Sequence, residues 1–164
     1  MLALKHRANG DTTPPERSHP DEIIQAVAGA PLFSGIDRAD VAGILGAFDE
    51  QSFNAGHRIT LEGLRGSEFY VIARGRARVV ADGRRVAELG PGDFFGELAV
   101  LGDGMRSATV EAETPLRCLV LPNNGLEELL VRHPRLGVNL LRVVVSRFRE
   151  LVDRPAITLR LIDR

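Results

Sequence analysis

The sequence predicts an α+β, mainly β protein: a block of antiparallel strands with helices packed before and after it. Three observations carry this. Residues 53–122 run as short alternating or apolar segments cut by turn residues, notably Asp82-Gly83 and Gly90-Pro91-Gly92-Asp93, the punctuation of an antiparallel sandwich or roll. The segments on either side of that block space their apolar residues three and four apart, as helices do. With 164 residues, 44% of them hydrophobic, the chain is long enough for one substantial core and short for two domains.

Taken in order, residues 1–19 mix Asn9-Gly10-Asp11, Thr12-Thr13-Pro14-Pro15 and scattered charges without periodicity, and read as a disordered leader. A folded domain is expected over residues 20–153 and a tail over 154–164. Residues 21–28 suit a short helix ended by Gly29, and Asp37 looks like the cap of a second whose Val41, Ile44, Leu45 and Phe48 share a face. Inside the strand block, Asp82-Gly83 between Val79-Val80 and Val86 signals a hairpin. Cys118 sits in the alternating run Leu116 to Leu121, and as the only cysteine it is a small core residue.

After Pro122, Asn123 or Asn124 can cap a helix bearing Leu126, Leu129 and Leu130, and His133-Pro134 breaks it before a longer final helix. Leu136, Leu140, Val143 and Arg147 share one face of that last helix; Leu141, Val145, Phe148 and Val152 share another. One face can cover the strands. The second needs its own burial partner, and the matching helix of a second copy is the economical choice, so a homodimer is expected.

Composition narrows function. A net charge of −1 gives no bulk electrostatic reason to bind nucleic acid. Residues 135–164 hold seven arginines against three acids, the pattern of a solvated helix face. The apolar stretch 138–145 is cut by Asn139 and Arg142, so no membrane span is expected and the cytoplasm is the default location. His6, His19, His57 and His133 are scattered without metal-ligand spacing, and no Ser-His-Asp or paired-carboxylate arrangement stands out, so neither a metal, a cofactor nor catalysis is expected.

The densest chemistry lies in Phe95-Gly96-Glu97-Leu98-Ala99, then Gly102-Asp103-Gly104-Met105, then Arg106-Ser107-Ala108-Thr109. A phosphate calls for a cationic fork and free backbone N–H groups, and a short helix starting within residues 96–99 would offer such groups. Arg106 can grip phosphate through two parallel hydrogen bonds, where a lysine supplies a point charge. A carboxylate is ill-placed on phosphate, so Glu97 suits a sugar hydroxyl. Small residues at Gly96, Ala99 and Ala108 admit a ligand close to the backbone. Phosphate with a sugar hydroxyl describes a nucleotide. The plainer reading is a surface ion pair between Glu97 and Arg106, worth little.

The ordered string resembles the phosphate-binding cassette of the cyclic nucleotide-binding domain family. That pattern, Phe-Gly-Glu-Leu-Ala and then Arg-Ser/Ala-Ala-Thr, is matched at each defining position. The resemblance runs from about residue 32 to 152: Asn54-Ala55-Gly56-His57 opens a strand, Glu68 to Ile72 fills another, and Gly75 precedes Arg76 to Val80, as in the family's β-roll. Leu64 departs from it, standing after Gly63 where an acid is common. The resemblance implies an antiparallel β-roll flanked by N-terminal helices and two C-terminal helices. It also implies that Glu97 accepts from the ribose 2′-hydroxyl and Arg106 binds the cyclic phosphate. Phe95, Gly96, Leu98 and Ala99 would line the cassette, with Ser107 and Ala108 adding contacts near the phosphate.

Arg147 matches the place where some bacterial members put a final-helix arginine beside the nucleotide, to stack on the purine or reach the phosphate. Ser107 in place of threonine favours cyclic AMP over cyclic GMP. Leu151 and Val152 leave purine recognition to apolar packing and Arg147. The expected function is thus a cytosolic, non-catalytic cyclic nucleotide sensor whose ligand closes the final helix over the roll, acting on an unknown downstream protein. Residues 153–164 are too few for a helix-turn-helix, so DNA binding is not expected of them. The alternative is a degenerate roll that serves as a protein-interaction module without ligand.

Overall fold

In the computed structural model, residues 20–122 and 125–153 are described. The leader 1–19, the tail 154–164 and the cap expected at Asn123 or Asn124 lie outside them. The chain opens with α1 (Pro20–Val27), a 3-10 turn (Pro31–Phe33) and α2 (Arg38–Leu45). Eight strands follow: β1 (Asp49–Phe53), β2 (Arg58–Thr60), β3 (Phe69–Arg74), β4 (Ala77–Ala81), β5 (Arg84–Leu89), β6 (Phe94–Phe95), β7 (Thr109–Ala112) and β8 (Leu116–Leu121). The short α3 (Glu97–Leu101) interrupts them, and α4 (Gly125–Arg132) and α5 (Pro134–Val152) close the domain.

The strands form two antiparallel four-stranded sheets, ordered β1-β8-β3-β6 and β2-β7-β4-β5. This is the α+β β-roll expected. The two central strands of the first sheet, β3 and β8, are buried on both faces. Phe69, Val71, Leu119 and Leu121 face the helices, packing with Val27, Ile44, Leu126 and Leu136. Their alternate neighbours Tyr70, Ile72, Cys118 and Val120 face inward against Ala77, Leu89 and Val110 of the second sheet. A strand sandwiched this way reads as a continuous apolar run rather than an alternating one. Cys118 is fully buried, and desolvation pushes its thiol pKa up to about 12.

The hairpin signal holds: β4 and β5 pair from Ala81↔Arg84 to Ala77↔Leu89 across Asp82 and Gly83, both with positive φ. Two expectations needed correcting. The strand block starts at Asp49, not Phe53, because β1 is an edge strand of mostly exposed polar residues and carries no apolar alternation. Phe48 is not on the second helix, which ends at Leu45 with Gly46 as its cap. Its ring packs instead 6.3 Å from that of Phe69.

In α5, Leu136 and Leu140 are buried against the domain while Leu141 (60% exposed) and Phe148 (64%) face outward. Asn139, on the buried face, is 2% exposed. Its Nδ2 donates to the carbonyls of Leu32 at 3.0 Å and Ser34 at 2.8 Å, tying α5 to the 3-10 turn.

Candidate functional site

At Gly96 the roll turns into the site. The residue adopts φ 91°, a conformation that favours glycine. A Cβ there would lie 2.6 Å from the Glu68 carbonyl oxygen and 2.8 Å from Arg106 Nη1. α3 begins at the next residue, which buries Glu97 to 6% exposure.

The loop after α3 is zipped to residues 63–66 by backbone hydrogen bonds. Gly63 N–H donates to the Arg106 carbonyl at 2.9 Å, Arg106 N–H to the Leu64 carbonyl at 2.8 Å, and Gly66 N–H to the Gly104 carbonyl at 3.0 Å. Leu64 therefore serves through its carbonyl, and its side chain is exposed. Thr60 adds a pin further along, its hydroxyl donating to the Ala108 carbonyl and accepting from Val110 N–H, both at 3.1 Å.

With its main chain fixed, Arg106 runs inward to 6% exposure. Nη1 donates to the carbonyls of Glu68 at 3.0 Å and Gly96 at 3.2 Å, and Nη2 pairs with the Glu68 carboxylate at 3.0 Å. Gly66 keeps this path open, since a Cβ there would come within 2.0 Å of Arg106 Nε. The guanidinium carbon also lies 5.8 Å from the centre of the Tyr70 ring, which stacks on Phe95 at 4.6 Å.

Across from the cassette stands α5. Arg147 Nη1 lies 3.5 Å from Glu97 Oε1, and the guanidinium sits 4.4 Å over the Phe94 ring. Its Nη2 is buried and has no hydrogen-bond partner among the described residues. Desolvation raises the Glu97 pKa above its ordinary 4.5; the positive charges of Arg147 and Arg106 oppose the shift.

Between cassette and helix lies a cavity of about 1030 Å³. Phe95, Gly96, Glu97, Leu98, Ala99, Arg106, Ser107, Ala108 and Arg147, the residues singled out from the sequence, all line it. Val79, Val86 and Leu89 supply an apolar wall from the β4–β5 hairpin, and Val143 and Leu151 one from α5, while Val152 does not reach it. The surface ion pair between Glu97 and Arg106 is not what forms. Both side chains are buried, and the pairs are Arg106 with Glu68 and Glu97 with Arg147.

Sequence reasoning missed Glu68, Gly66, Thr60 and Asn139. Glu68 reads as the start of a strand, and its hold on a residue 38 positions away leaves no local trace. Asn139 did carry a signal, a lone amide on the face shared by Leu136, Leu140 and Val143.

A roll that buries one acid and one base in a cavity roofed by a helix is built as a small-ligand-binding domain. The chain belongs to the cyclic nucleotide-binding domain family, whose description matches residues 50–133, just over half of the chain. Among curated proteins it is similar to the "CRP-like cAMP-activated global transcriptional regulator" of Mycobacterium tuberculosis, 29% identical over 134 residues and 79% of this chain. The chain spans 58% of that relative's length. Among solved structures, the Thermus thermophilus catabolite activator protein superposes with a TM-score of 0.71 at 31% identity, over 82% of this chain and 63% of that one. A cyclic nucleotide-binding domain from Methylobacillus flagellatus KT gives 0.69 at 28%, over 84% and 82%.

Proposed function

We propose that the chain binds a 3′,5′-cyclic nucleotide in this cavity, cyclic AMP in preference to cyclic GMP, and acts as a cytoplasmic sensor without catalysing a reaction. The observation that carries the reading is the pair of buried, opposite charges in one cavity, each held by a neighbour that leaves part of it facing the space. Arg106 takes the cyclic phosphate and Glu97 accepts from the ribose 2′-hydroxyl. Ser107 and Ala108 stand beside the phosphate, Gly96 and Ala99 let the ligand approach, and Leu98 lines the cassette. The mycobacterial relative's name, a cAMP-activated transcriptional regulator, supports cyclic AMP and a regulatory role. Among the described residues no helix is long and apolar enough to cross a membrane.

A ligand lying between cassette and helix touches both, so its binding favours the arrangement in which α5 is seated on the roll. That differential contact is what moves the equilibrium. The outward face of α5, with Leu141, Val145 and Phe148 exposed, supports a homodimer through this helix. Calorimetric titration with cyclic AMP and cyclic GMP tests the ligand. Saturable heat with both, tighter for cyclic AMP, is expected; no heat and no thermal stabilisation at millimolar nucleotide would leave only the interaction-module alternative. Sedimentation tests the dimer, which a monomer at micromolar concentration with and without ligand would rule out.

A further inference from the structure

We infer that Glu62 is a positioning residue of the base subsite: its carboxylate ties the tip of the β4–β5 hairpin, the apolar wall of the cavity, to the loop that holds the phosphate end of the cassette. The inference rests on the cyclic nucleotide reading given above and deepens it. With sugar and phosphate on Glu97 and Arg106, a base meets the hairpin, and Glu62 sets where that wall stands.

The hairpin tip has little else to hold it. β5 is an edge strand that pairs with β4 alone, and the register shifts between Val79 and Val80, leaving two pairs before the turn, Val80↔Arg85 and Ala81↔Arg84. Asp82 and Gly83 turn the chain with φ 51° and 72°. In a two-residue turn of this kind the N–H of the first turn residue points away from the ladder. Here it points to Glu62: Asp82 N–H donates to both carboxylate oxygens, at 3.1 and 3.2 Å. That N–H is the only group the Glu62 carboxylate bonds among the described residues.

The main chain of Glu62 belongs to the opposite side of the site. Its N–H donates to Thr109 Oγ1 at 3.1 Å, and the next N–H, that of Gly63, donates to the Arg106 carbonyl at 2.9 Å. Backbone bonds thus fix residues 62–63 to the cassette, and one side chain reaches from there to the hairpin. Val79, Ala81 and Val86 of the hairpin line the cavity together with Arg106, whereas Glu62 does not reach it. Glu62 therefore acts on a ligand through the wall, by fixing its distance from the phosphate anchor. An amide bonded to a carboxylate makes a stronger tie than one bonded to a neutral acceptor.

The test combines peptide-resolved hydrogen exchange on the ligand-free chain with calorimetric titration of cyclic AMP, on wild type, Glu62→Ala and Glu62→Gln. Glu62→Ala is expected to speed exchange over residues 79–86 by about fivefold, to leave residues 104–109 as in wild type, and to weaken cyclic AMP by about fivefold. Glu62→Gln keeps an oxygen for Asp82 N–H and should stay within about twofold of wild type in both readouts. The sign separates this role from simple charge, since removing an anion would by itself strengthen the binding of an anionic nucleotide. Unchanged exchange in the hairpin, equal loosening of residues 104–109, unchanged or tighter cyclic AMP in Glu62→Ala, or a Gln variant as impaired as Ala would each overturn the inference. Wild type that binds no cyclic nucleotide would instead sink the cyclic nucleotide reading, and the role of Glu62 in base binding with it, whatever the exchange shows.

Discussion

Arg106 and Arg147 face the same cavity, and each pairs with a glutamate, yet they are held in opposite ways. Arg106 is 5% exposed in its side chain, is gripped by two carbonyls and a carboxylate, and grows from a loop zipped to its neighbour on both sides. Arg147 is 29% exposed, has one ion pair among the described residues, at 3.5 Å, and stands toward the C-terminal end of α5, whose buried residues Leu136, Asn139 and Leu140 lie near its start. The floor is held by many contacts and the roof by few. On the function proposed above, the first arginine supplies affinity and the second couples the ligand to α5.

The largest expected effect lies on the floor. Arg106→Ala removes two charge-assisted bonds to phosphate and should weaken cyclic AMP by about a hundredfold or more, read by equilibrium dialysis. Gly66→Ala should cost about tenfold in the same assay while melting near wild type, because the flexible end of Arg106 yields to the new methyl and leaves its position. A Gly66→Ala protein with wild-type affinity would show that the floor is not rigid. Asn139→Ala, at the anchored end of the roof, leaves two carbonyls without their donor and should lower stability by about 1–3 kcal/mol in urea unfolding.

The smallest effect separates stability from binding. Burial raises the Glu97 pKa in the folded state, so its contribution to stability is fully present below 4.5 and is lost as pH rises through the raised value. Glu97→Gln should therefore melt like wild type in acid and slightly higher at neutral pH without ligand, while binding cyclic AMP more weakly. In wild type, affinity should fall as pH drops through the raised Glu97 value, because the protonated acid is a poorer acceptor. Affinity flat across that range would take Glu97 out of the ribose contact.

Much of this was legible in the chain. The Asp82-Gly83 hairpin, the His133-Pro134 break and the cassette string are local signals, and the structure places them where spacing put them. Strand β1 was not legible, since Asp49 to Ser52 form a polar edge that borrows its order from β8. The partners of the two arginines were hidden for a related reason. Glu68 reaches Arg106 across 38 positions and Glu97 reaches Arg147 across 50, and no periodicity records contacts of that range. From residue types alone Glu97 and Arg106 looked like a pair, and the fold gives each a different partner.

The central claim is that one cavity reads sugar and phosphate on two separately held side chains. A crystal structure of the chain grown with cyclic AMP tests it most directly. The account predicts the cyclic phosphate within hydrogen-bond distance of Arg106 and the ribose 2′-hydroxyl on Glu97, with Arg147 still against that carboxylate. A nucleotide bound elsewhere, or a cavity left empty at millimolar cyclic AMP, would contradict it.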